Sequence, residues 1–195
     1  MDAINILFGI SLLYSLAANF SAARKGFKEK LSKAVYKPKT YLQRIPPNIS
    51  ALILVLQVIG IFNIGIITSF DYTNFITLRL IGLLGYILFS FLQVKSFKTL
   101  GKNYSQDIVI LQNHVLVTNQ IYKKVRHPQY LFQMLSDIFA GIVLFSYPVL
   151  FFSVLIELPL FVLRARREEE MLENHFKREF AEYKSRSGFM LPFIG

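Results

Sequence analysis

The sequence predicts an all-α integral membrane protein with five transmembrane helices. Of its 195 residues, 53% are hydrophobic, and the apolar residues form blocks approaching the roughly 20 residues that cross a bilayer as a helix. The formal net charge is +10. Every basic residue except Arg79 falls within residues 24–44, 95–126 or 164–186. If the apolar blocks are helices, these three basic segments lie on one side of the membrane, as the positive-inside rule expects.

The first half of the chain, residues 1–94, is predicted to be a three-helix membrane scaffold. A basic loop, Gly26–Asn48, follows the first helix, and Ile45-Pro46-Pro47 is expected to prevent helix formation until the second helix begins. The turn Ser69–Asn74 holds Asp71 and no basic residue, which favours the non-cytoplasmic side. Arg79 is expected to extend its side chain to the lipid headgroups. The predicted helices are Ile4–Ala23, Ile49–Thr68 and Phe75–Val94.

The second half, residues 95–195, completes a single domain of 1–195. A polar loop leads to a helical hairpin with arms Pro128–Phe145 and Val149–Leu163, broken at Ser146-Tyr147-Pro148. Each arm is roughly 23 to 27 Å long at 1.5 Å per residue, slightly short for the hydrocarbon core. Residues 164–186 are predicted to continue as a cytoplasmic helix. The N-terminus is then outside and the C-terminus cytoplasmic, with the apolar tail 189–194 docked back on the bundle.

The composition excludes several kinds of site. The chain has no cysteine, which excludes disulfides, thiolate nucleophiles and Cys-ligated zinc. Its three histidines, His114, His127 and His175, are widely spaced and give little support for metal catalysis. The positive charge is explained by membrane topology and anionic lipid headgroups, and no nucleic-acid-binding module is recognisable. We therefore expect membrane lipids as partners, and neither nucleic acid nor metal.

A cluster of chemically capable side chains precedes the hairpin. Pro128 suits the first position of a helix because its φ is fixed and it has no N–H to leave unpaired. Arg126, His127, Gln129 and Tyr130 are therefore predicted to gather at a helix N-terminus, where an anion is favoured. The sequence places this cluster where a polar loop meets an apolar helix.

A second cluster lies at the other end of the hairpin. Arg164 and Glu168 are four residues apart and share a helical face. The acids at 168–170 are poor anchors beside an anionic membrane, which favours a functional role for Arg164 or Glu168. Asp137 and Glu157 lie within the hairpin, where an ionised acid costs roughly 2.5 to 3.5 kcal/mol at the bilayer centre. A structural and a functional role both remain open for these two acids.

The order and spacing of these motifs resemble the isoprenylcysteine carboxyl methyltransferase family, in particular its short, five-span prokaryotic and archaeal members. The resemblance covers roughly residues 95–195. The motifs are Leu116-Val117-Thr118, Tyr122, Arg126-His127-Pro128-Gln129-Tyr130, Arg164 with Glu168-Glu169, and Leu191-Pro192.

This resemblance implies a membrane enzyme that uses S-adenosyl-L-methionine and releases S-adenosyl-L-homocysteine. The cofactor pocket is expected at the cytoplasmic face, between the loop before the hairpin and the ends of the two hairpin helices. Arg164 would bind the carboxylate of a prenylated cysteine or other lipidic acceptor, and Arg164 and Glu168 would be catalytic. The membrane would be the cell membrane in a prokaryote and the endoplasmic reticulum in a eukaryote. The expected cofactor contacts are His114, Val115, Leu116, Val117, Tyr122, His127, Pro128, Gln129, Tyr130 and Glu168.

The chemistry of a carboxylate acceptor fits these residues. A carboxylate is already anionic at neutral pH, so methyl transfer to it needs no general base. Holding the reactants in line is worth up to roughly 7 to 11 kcal/mol in favourable models. Arg164 can hold the acceptor through a bidentate fork, while Tyr122 and Tyr130 offer aromatic surfaces to the cofactor.

Three alternatives stay open. A lipid-amine N-methyltransferase would use the same cofactor but need a base such as Glu168 or His127. A sterol-reductase-like oxidoreductase would use NADPH, although no tryptophan or cysteine lies near the C-terminal acidic cluster. A channel or transporter would show polar residues at matching depth in several spans, or inverted repeats, and the sequence shows neither.

Overall fold

The computed structural model describes residues 1–30, 34–65, 75–192 and 194–195, with side chains given for residues 1–20 of the first segment. The predicted turn Ser69–Asn74 lies outside these ranges. The helices are α1 (Ala3–Lys30), α2 (Ile45–Ile61), α3 (Ile76–Leu100), α4 (Pro128–Leu144), α5 (Tyr147–Phe151), α6 (Leu158–Phe176) and α7 (Arg178–Ser185). A π-helical segment, Phe152–Glu157, joins α5 to α6, and two short strands pair antiparallel, β1 (Ala34–Tyr36) with β2 (Ile110–Leu111).

The helices α1, α3 and α4 pack around one apolar core. Phe8 of α1 is fully buried and meets Tyr86 of α3 edge to face, with ring centroids 4.8 Å apart. The α3 and α4 backbones approach closely because Gly85 carries no side chain. A Cβ there would lie 2.5 Å from the Phe139 ring. The core residues are Ile4, Phe8, Leu12, Leu83, Tyr86, Ala140, Val143 and Leu144.

Four helical stretches in the described ranges are long and apolar enough to cross a membrane: Ala3–Phe20, Tyr41–Ile61, Ile76–Asn103 and Tyr147–Phe176. The chain is thus an all-helical integral membrane protein apart from its two short strands. The first hairpin arm, α4, has 17 residues, about 26 Å at 1.5 Å per residue. It is shorter than the other four, and the count of five spans stays a prediction.

Four predicted boundaries differ from the structure. The second helix, expected to reach Thr68, ends at Ile61. The first helix continues past Ala23 to Lys30, and the third continues past Val94 to Leu100. The expectation that Ile45-Pro46-Pro47 prevents a helix is wrong, because α2 begins at Ile45. Proline is compatible with the first turn of a helix, where backbone N–H groups have no partner inside the helix.

The predicted helical hairpin is confirmed, but its second arm continues beyond the predicted end at Leu163. Phe145 ends α4 in the left-handed conformation (φ 48°), and the chain then forms one continuous helical rod, Tyr147–Phe176. The predicted single helix over residues 164–186 is wrong, because Lys177 adopts φ 47° and separates α6 from α7. No glycine or proline marks this break in the sequence.

The expectation that Arg79 reaches the headgroups is also wrong. Its side chain is buried, with a residue exposure of 3%. Its guanidinium pairs with Asp2 at 2.5 Å, donates to the amide oxygen of Asn5 at 2.6 Å and to the carbonyl of Val143 at 2.8 Å. A buried charge needs such partners, so Arg79 joins α1, α3 and α4.

Loop segments close over the hairpin at the end where α4 begins and α6 carries Arg164. We call this end the hairpin mouth. Gln43 fixes one loop there, because its side-chain amide donates to the carbonyl of Ile108 and accepts from its N–H, both at 2.9 Å. The C-terminal tail docks beside it, as predicted for its described residues: Arg126 N–H donates to Gly188 O at 2.9 Å and His127 N–H to Phe189 O at 3.1 Å.

Candidate active site at the hairpin mouth

A cleft opens between the loop before α4 and the helices α6 and α7. It encloses about 760 Å³ of empty space, part of it open to solvent. We call it the loop cleft. Eight of the ten predicted cofactor contacts line it: His114, Val115, Leu116, Val117, Tyr122, His127, Gln129 and Glu168.

The remaining two predicted contacts lie elsewhere. Pro128 is fully buried at the start of α4 and is not part of the cleft wall. Tyr130 lines a neighbouring cavity of about 590 Å³ together with Arg164, Phe161 and Tyr104. We call this the inner cavity. The structure therefore brings the predicted residues together at one end of the hairpin, divided between two adjoining spaces.

The hydroxyl of Tyr130 joins the two spaces. Arg164 Nε donates to it at 2.8 Å, and the hydroxyl itself donates to Glu168 Oε1 through a short hydrogen bond. Arg164 Nε also lies 3.4 Å from Glu168 Oε1. Since Glu168 lines the loop cleft and Arg164 lines the inner cavity, one hydrogen-bonded group connects both walls.

Arg164 is also a structural clamp. Its Nη1 donates to the carbonyl of Leu42 at 3.0 Å, and its Nη2 donates to the carbonyl of Gln106. These bonds hold the turn before α2 and the loop before β2 against α6. Because a guanidinium carries five N–H groups, one N–H on each terminal nitrogen has no partner among the described residues. Two donors therefore remain for an anionic group.

Glu169, the neighbour of Glu168, holds the frame of the site. Its Oε1 accepts from Arg126 Nε at 2.6 Å and lies 3.2 Å from His127 Nε2. Arg126 is further committed to the C-terminal tail, donating to the carbonyls of Ser187 and, at 3.0 Å, Gly195. Arg126 thus holds the C-terminal tail against the start of α4. The place of Arg126 in the sequence alone gave no indication of this role.

Aromatic side chains close the far wall of the loop cleft. Tyr183 of α7 is buried and donates to the carbonyl of Tyr122 at 2.6 Å. Burial raises the pKa of Tyr183 to about 12 and raises the pKa of Tyr122 well above its usual value. Both phenols are therefore neutral at physiological pH, and they present ring surface and neutral hydrogen-bonding groups.

Several lining residues were missed by the sequence reasoning. Asn103, Ser105 and Asp107 come from the segment before β2, and Phe180 and Tyr183 come from α7. Asp107 could have been identified as a candidate site residue from the sequence, because it is the one acid in the basic segment 95–126. Phe180 and Tyr183 are three residues apart, a helical spacing that core packing explains equally well.

Asp137 and Glu157 do not line the loop cleft or the inner cavity. Asp137 accepts from Gln57 Nε2 at 2.7 Å, and Glu157 accepts from Ser50 Oγ at 2.7 Å and Gln133 Nε2 at 3.3 Å. Each bond joins the hairpin to α2 or joins its two arms. Asp137 also borders a larger space between α1, α2, α3 and α4, of about 1070 Å³, which we call the interhelical groove.

No group of three or more His, Asp or Glu side chains arranged for a metal occurs in the described residues. The site therefore consists of a polar and aromatic cleft, an adjoining cavity with an arginine, and the hydrogen-bonded group between them.

Residues 80–174 match the family model described as the isoprenylcysteine carboxyl methyltransferase (ICMT) family. A second comparison agrees: the chain is 30% identical over 116 residues to protein-S-isoprenylcysteine O-methyltransferase of Saccharomyces cerevisiae, covering 58% of this chain and 48% of the yeast protein. Both comparisons support the ICMT family for this chain. All the predicted site residues lie within the matched span, whereas α7 and the C-terminal tail lie beyond it.

A solved ICMT structure shares the fold. It is described as the eukaryotic intramembrane Ras methyltransferase ICMT, and the match has a TM-score of 0.60 and 28% sequence identity, covering 77% of this chain and 54% of that one. The chain therefore spans about half the length of the ICMT relatives it matches.

Proposed function

We propose that this chain is an S-adenosylmethionine-dependent methyltransferase that esterifies the C-terminal carboxylate of an isoprenylated cysteine. The observation that carries the proposal is the junction of two cavities at the Tyr130 hydroxyl, with Glu168 on the loop-cleft side and Arg164 on the inner side. A methyltransferase needs adjoining sites for donor and acceptor. The match to the ICMT family model supports the reaction class, and the name of the yeast relative supports the acceptor class.

The chemistry of the loop cleft fits the cofactor. Its acids, Asp107 and Glu168, suit the cofactor's amino and ribose hydroxyl groups, and Tyr122 and Tyr183 suit its adenine ring and sulfonium. The amide oxygen of Gln129 is buried with no hydrogen-bond partner, as expected where a ligand supplies the missing contact. We assign the cofactor to the eight predicted residues of this cleft, with Tyr130 contributing through Glu168.

When bound, S-adenosylmethionine supplies a methyl group: the acceptor's carboxylate oxygen forms a new bond to the methyl carbon, the carbon–sulfur bond breaks with its electron pair left on sulfur, and no proton is released. Arg164 would hold the carboxylate with its two remaining N–H groups. Its Nε contact with Tyr130, at 2.8 Å, orients the guanidinium. The protein's contribution is therefore positioning and charge stabilisation, which need no general base.

The acceptor would reach Arg164 from the membrane. The inner cavity and the interhelical groove share wall residues, among them Ser50, Tyr104 and Gln133. A lipid chain in the groove would place a polar end in the inner cavity. We propose five spans with the N-terminus outside and the hairpin mouth cytoplasmic, supported by the clustering of basic residues at 24–44, 95–126 and 164–186.

One observation favours a second candidate, N-methylation of a lipid amine. The interhelical groove is lined by polar side chains, including Gln57, Gln93, Gln133 and Asp137. Such groups suit an acceptor that carries hydrogen-bond donors better than they suit a bare isoprenoid. This candidate keeps the same cofactor site and changes the acceptor.

The test of the proposal compares Arg164→Lys with Glu168→Gln in detergent-purified protein. Methyl ester formation on N-acetyl-S-farnesylcysteine and calorimetric affinity for S-adenosylhomocysteine are measured for both variants. Arg164→Lys, which keeps the charge and loses the fork, should raise the acceptor KM by about tenfold or more with near-normal S-adenosylhomocysteine affinity. Glu168→Gln should do the reverse. Loss of S-adenosylhomocysteine affinity in Arg164→Lys, with a normal acceptor KM, would overturn the assigned role.

The proposed orientation has its own test. Because the chain contains no cysteine, a single introduced cysteine can be labelled without background. Lys123→Cys, before the hairpin, should be protected in intact cells from a membrane-impermeant maleimide, and Asn74→Cys, before α3, should be labelled. Labelling of Lys123→Cys together with protection of Asn74→Cys would show that the topology is the reverse of the proposed one.

A further inference from the structure

The loop cleft and the inner cavity have two wall residues in common, Ser105 and Gln129. Under the proposed function, the methyl group passes from one space to the other, so these two residues flank its path. The Ser105 hydroxyl already accepts from the N–H of Asp107 at 3.1 Å. The Gln129 amide oxygen is buried and has no hydrogen-bond partner in the described part of the chain.

A buried acceptor without a donor is unusual and calls for a physical reason. None of the described neighbours of Gln129 donates a hydrogen bond to this oxygen. Arg126 is engaged with Glu169 and the tail, at 2.6 Å and 3.0 Å, and Arg164 Nε is engaged with Tyr130 at 2.8 Å. Pro128, immediately before Gln129, has no N–H. The missing partner is therefore best supplied by a bound ligand.

The position of Gln129 narrows the chemistry of that ligand. Gln129 is the second residue of α4 and lies at the boundary of the two spaces rather than deep in either. Under the proposed function, the group that crosses this boundary is the sulfonium methyl. Its positive charge polarises the methyl C–H bonds, which makes them donors to a carbonyl oxygen, whereas neutral C–H donors give only weak contacts.

We propose that the amide oxygen of Gln129 accepts C–H···O contacts from the sulfonium methyl group and thereby selects the methylated cofactor over its demethylated product. This inference rests on the proposed function and adds a residue that touches the transferred group. Because S-adenosylhomocysteine has neither the methyl group nor the charge, the contact disappears when the carbon–sulfur bond breaks. Gln129 would then favour release of product and entry of fresh cofactor.

The competing explanation is that Gln129 binds the amino group of the cofactor's methionine part. Cofactor and product both carry that amino group, so its loss would weaken both ligands equally. The ratio of the two affinities therefore separates the explanations, and a merely structural role of Gln129 would not change that ratio.

The experiment measures calorimetric affinities of detergent-purified protein for S-adenosylmethionine and S-adenosylhomocysteine, without acceptor. Gln129→Met keeps the length of the side chain and removes the carbonyl oxygen, and Gln129→Glu keeps an oxygen acceptor and adds negative charge. Gln129→Met should lose about fivefold to tenfold in S-adenosylmethionine affinity, with S-adenosylhomocysteine affinity within about twofold of the original. Gln129→Glu should shift the ratio towards S-adenosylmethionine.

Equal losses for both ligands in Gln129→Met, or no loss for either, would overturn the assignment. Unchanged melting temperatures verify that both variants are folded. If the unmodified protein binds neither ligand, the proposed function itself fails, and the assignment of Gln129 fails with it. If the unmodified protein binds both ligands and the variants show no selective change, only the assignment of Gln129 fails.

Discussion

Arg164 Nε donates a hydrogen bond of 2.8 Å to the hydroxyl oxygen of Tyr130. The two residues come from opposite arms of the hairpin, α6 and α4. The same hydroxyl donates to Glu168, so Arg164 of the inner cavity and Glu168 of the loop cleft both bind the Tyr130 hydroxyl. The two sides of the site are therefore expected to depend on each other through Tyr130.

Tyr130→Phe tests this dependence. The ring of Tyr130 packs on Phe161 with centroids 4.9 Å apart, and phenylalanine preserves that packing. Only the hydroxyl is lost, and with it the hydrogen bonds that orient Arg164 and Glu168. Hydrogen bonds to charged groups contribute about 1.5 to 3 kcal/mol, so kcat/KM should fall by roughly tenfold to a hundredfold. Steady-state kinetics with an unchanged melting temperature would verify this, and full activity would show that the hydroxyl does not position the site.

The adjacent acids Glu168 and Glu169 form a matched pair for a second test. Glu168 lines the loop cleft, whereas Glu169 is 7% exposed and pairs with Arg126 at 2.6 Å. Glu168→Gln should lower affinity for S-adenosylhomocysteine with little effect on stability. Glu169→Gln should lower the free energy of unfolding, up to about 3 to 5 kcal/mol for a broken buried pair, and loosen the C-terminal tail.

Calorimetry and thermal unfolding of the two variants give the comparison directly. Limited proteolysis of the tail provides an additional measurement for Glu169→Gln. If the two substitutions had the same effects on ligand affinity and on stability, the division into a cleft residue and a frame residue would be wrong.

Much of this architecture follows from the sequence, because membrane helices leave a strong signal. The hairpin at Pro128 and its break near Ser146 were predicted from this signal, and the family resemblance implied the clustering of His127, Gln129 and Glu168. Contacts between distant residues were not predictable: Arg79 pairs with Asp2, 77 positions away. No local pattern marks such a partner, and an isolated arginine in an apolar stretch equally suggests a side chain that reaches the headgroups.

The ends of elements were predicted less well, for similar reasons. The sequence predicts that Pro46 and Pro47 stop a helix, whereas they occupy its first turn. Proline is suited to both positions, so its presence alone does not distinguish them. Lys177 adopts a positive φ of 47° without glycine or asparagine at that position. The turn places α7 beside the loop cleft, which its buried residues Phe180 and Tyr183 line.

The acceptor class can be tested through pH. An α-carboxyl group has a pKa of about 3.3 to 3.7, so a carboxylate acceptor is fully ionised from about pH 6 to pH 9. The rate of methyl transfer at low acceptor concentration should therefore be nearly constant over that range. An amine acceptor must lose a proton before it attacks, and its rate would rise with pH. A rate that increases steadily towards pH 9 would favour the lipid-amine candidate.

The Asp2–Arg79 pair predicts a pH dependence of stability. The hydrogen bond from Arg79 is the largest cause of the lowered pKa of the Asp2 carboxyl. A depressed pKa in the folded state means that the pair stabilises fully above the ordinary aspartate pKa of 3.8, and that this stability is lost as pH falls through the lowered value. Because 46% of the Asp2 side chain is exposed, solvent screening keeps the effect small.

The measurement is the melting temperature of the detergent-purified protein between about pH 6 and pH 3. Asp2→Asn should melt at a lower temperature than the unmodified protein at neutral pH, and the difference between them should shrink in acid. A difference that stays constant down to about pH 3 would show that ionisation of Asp2 is not responsible.

The loop cleft is proposed to bind the cofactor of a methyltransferase, and calorimetric titration tests this assignment most directly. Detergent-purified protein would be titrated with S-adenosylhomocysteine and, in parallel, with NADPH. We expect binding of S-adenosylhomocysteine with a Kd on the order of micromolar, and no binding of NADPH. Binding of NADPH alone would contradict this assignment and make a reductase the better interpretation.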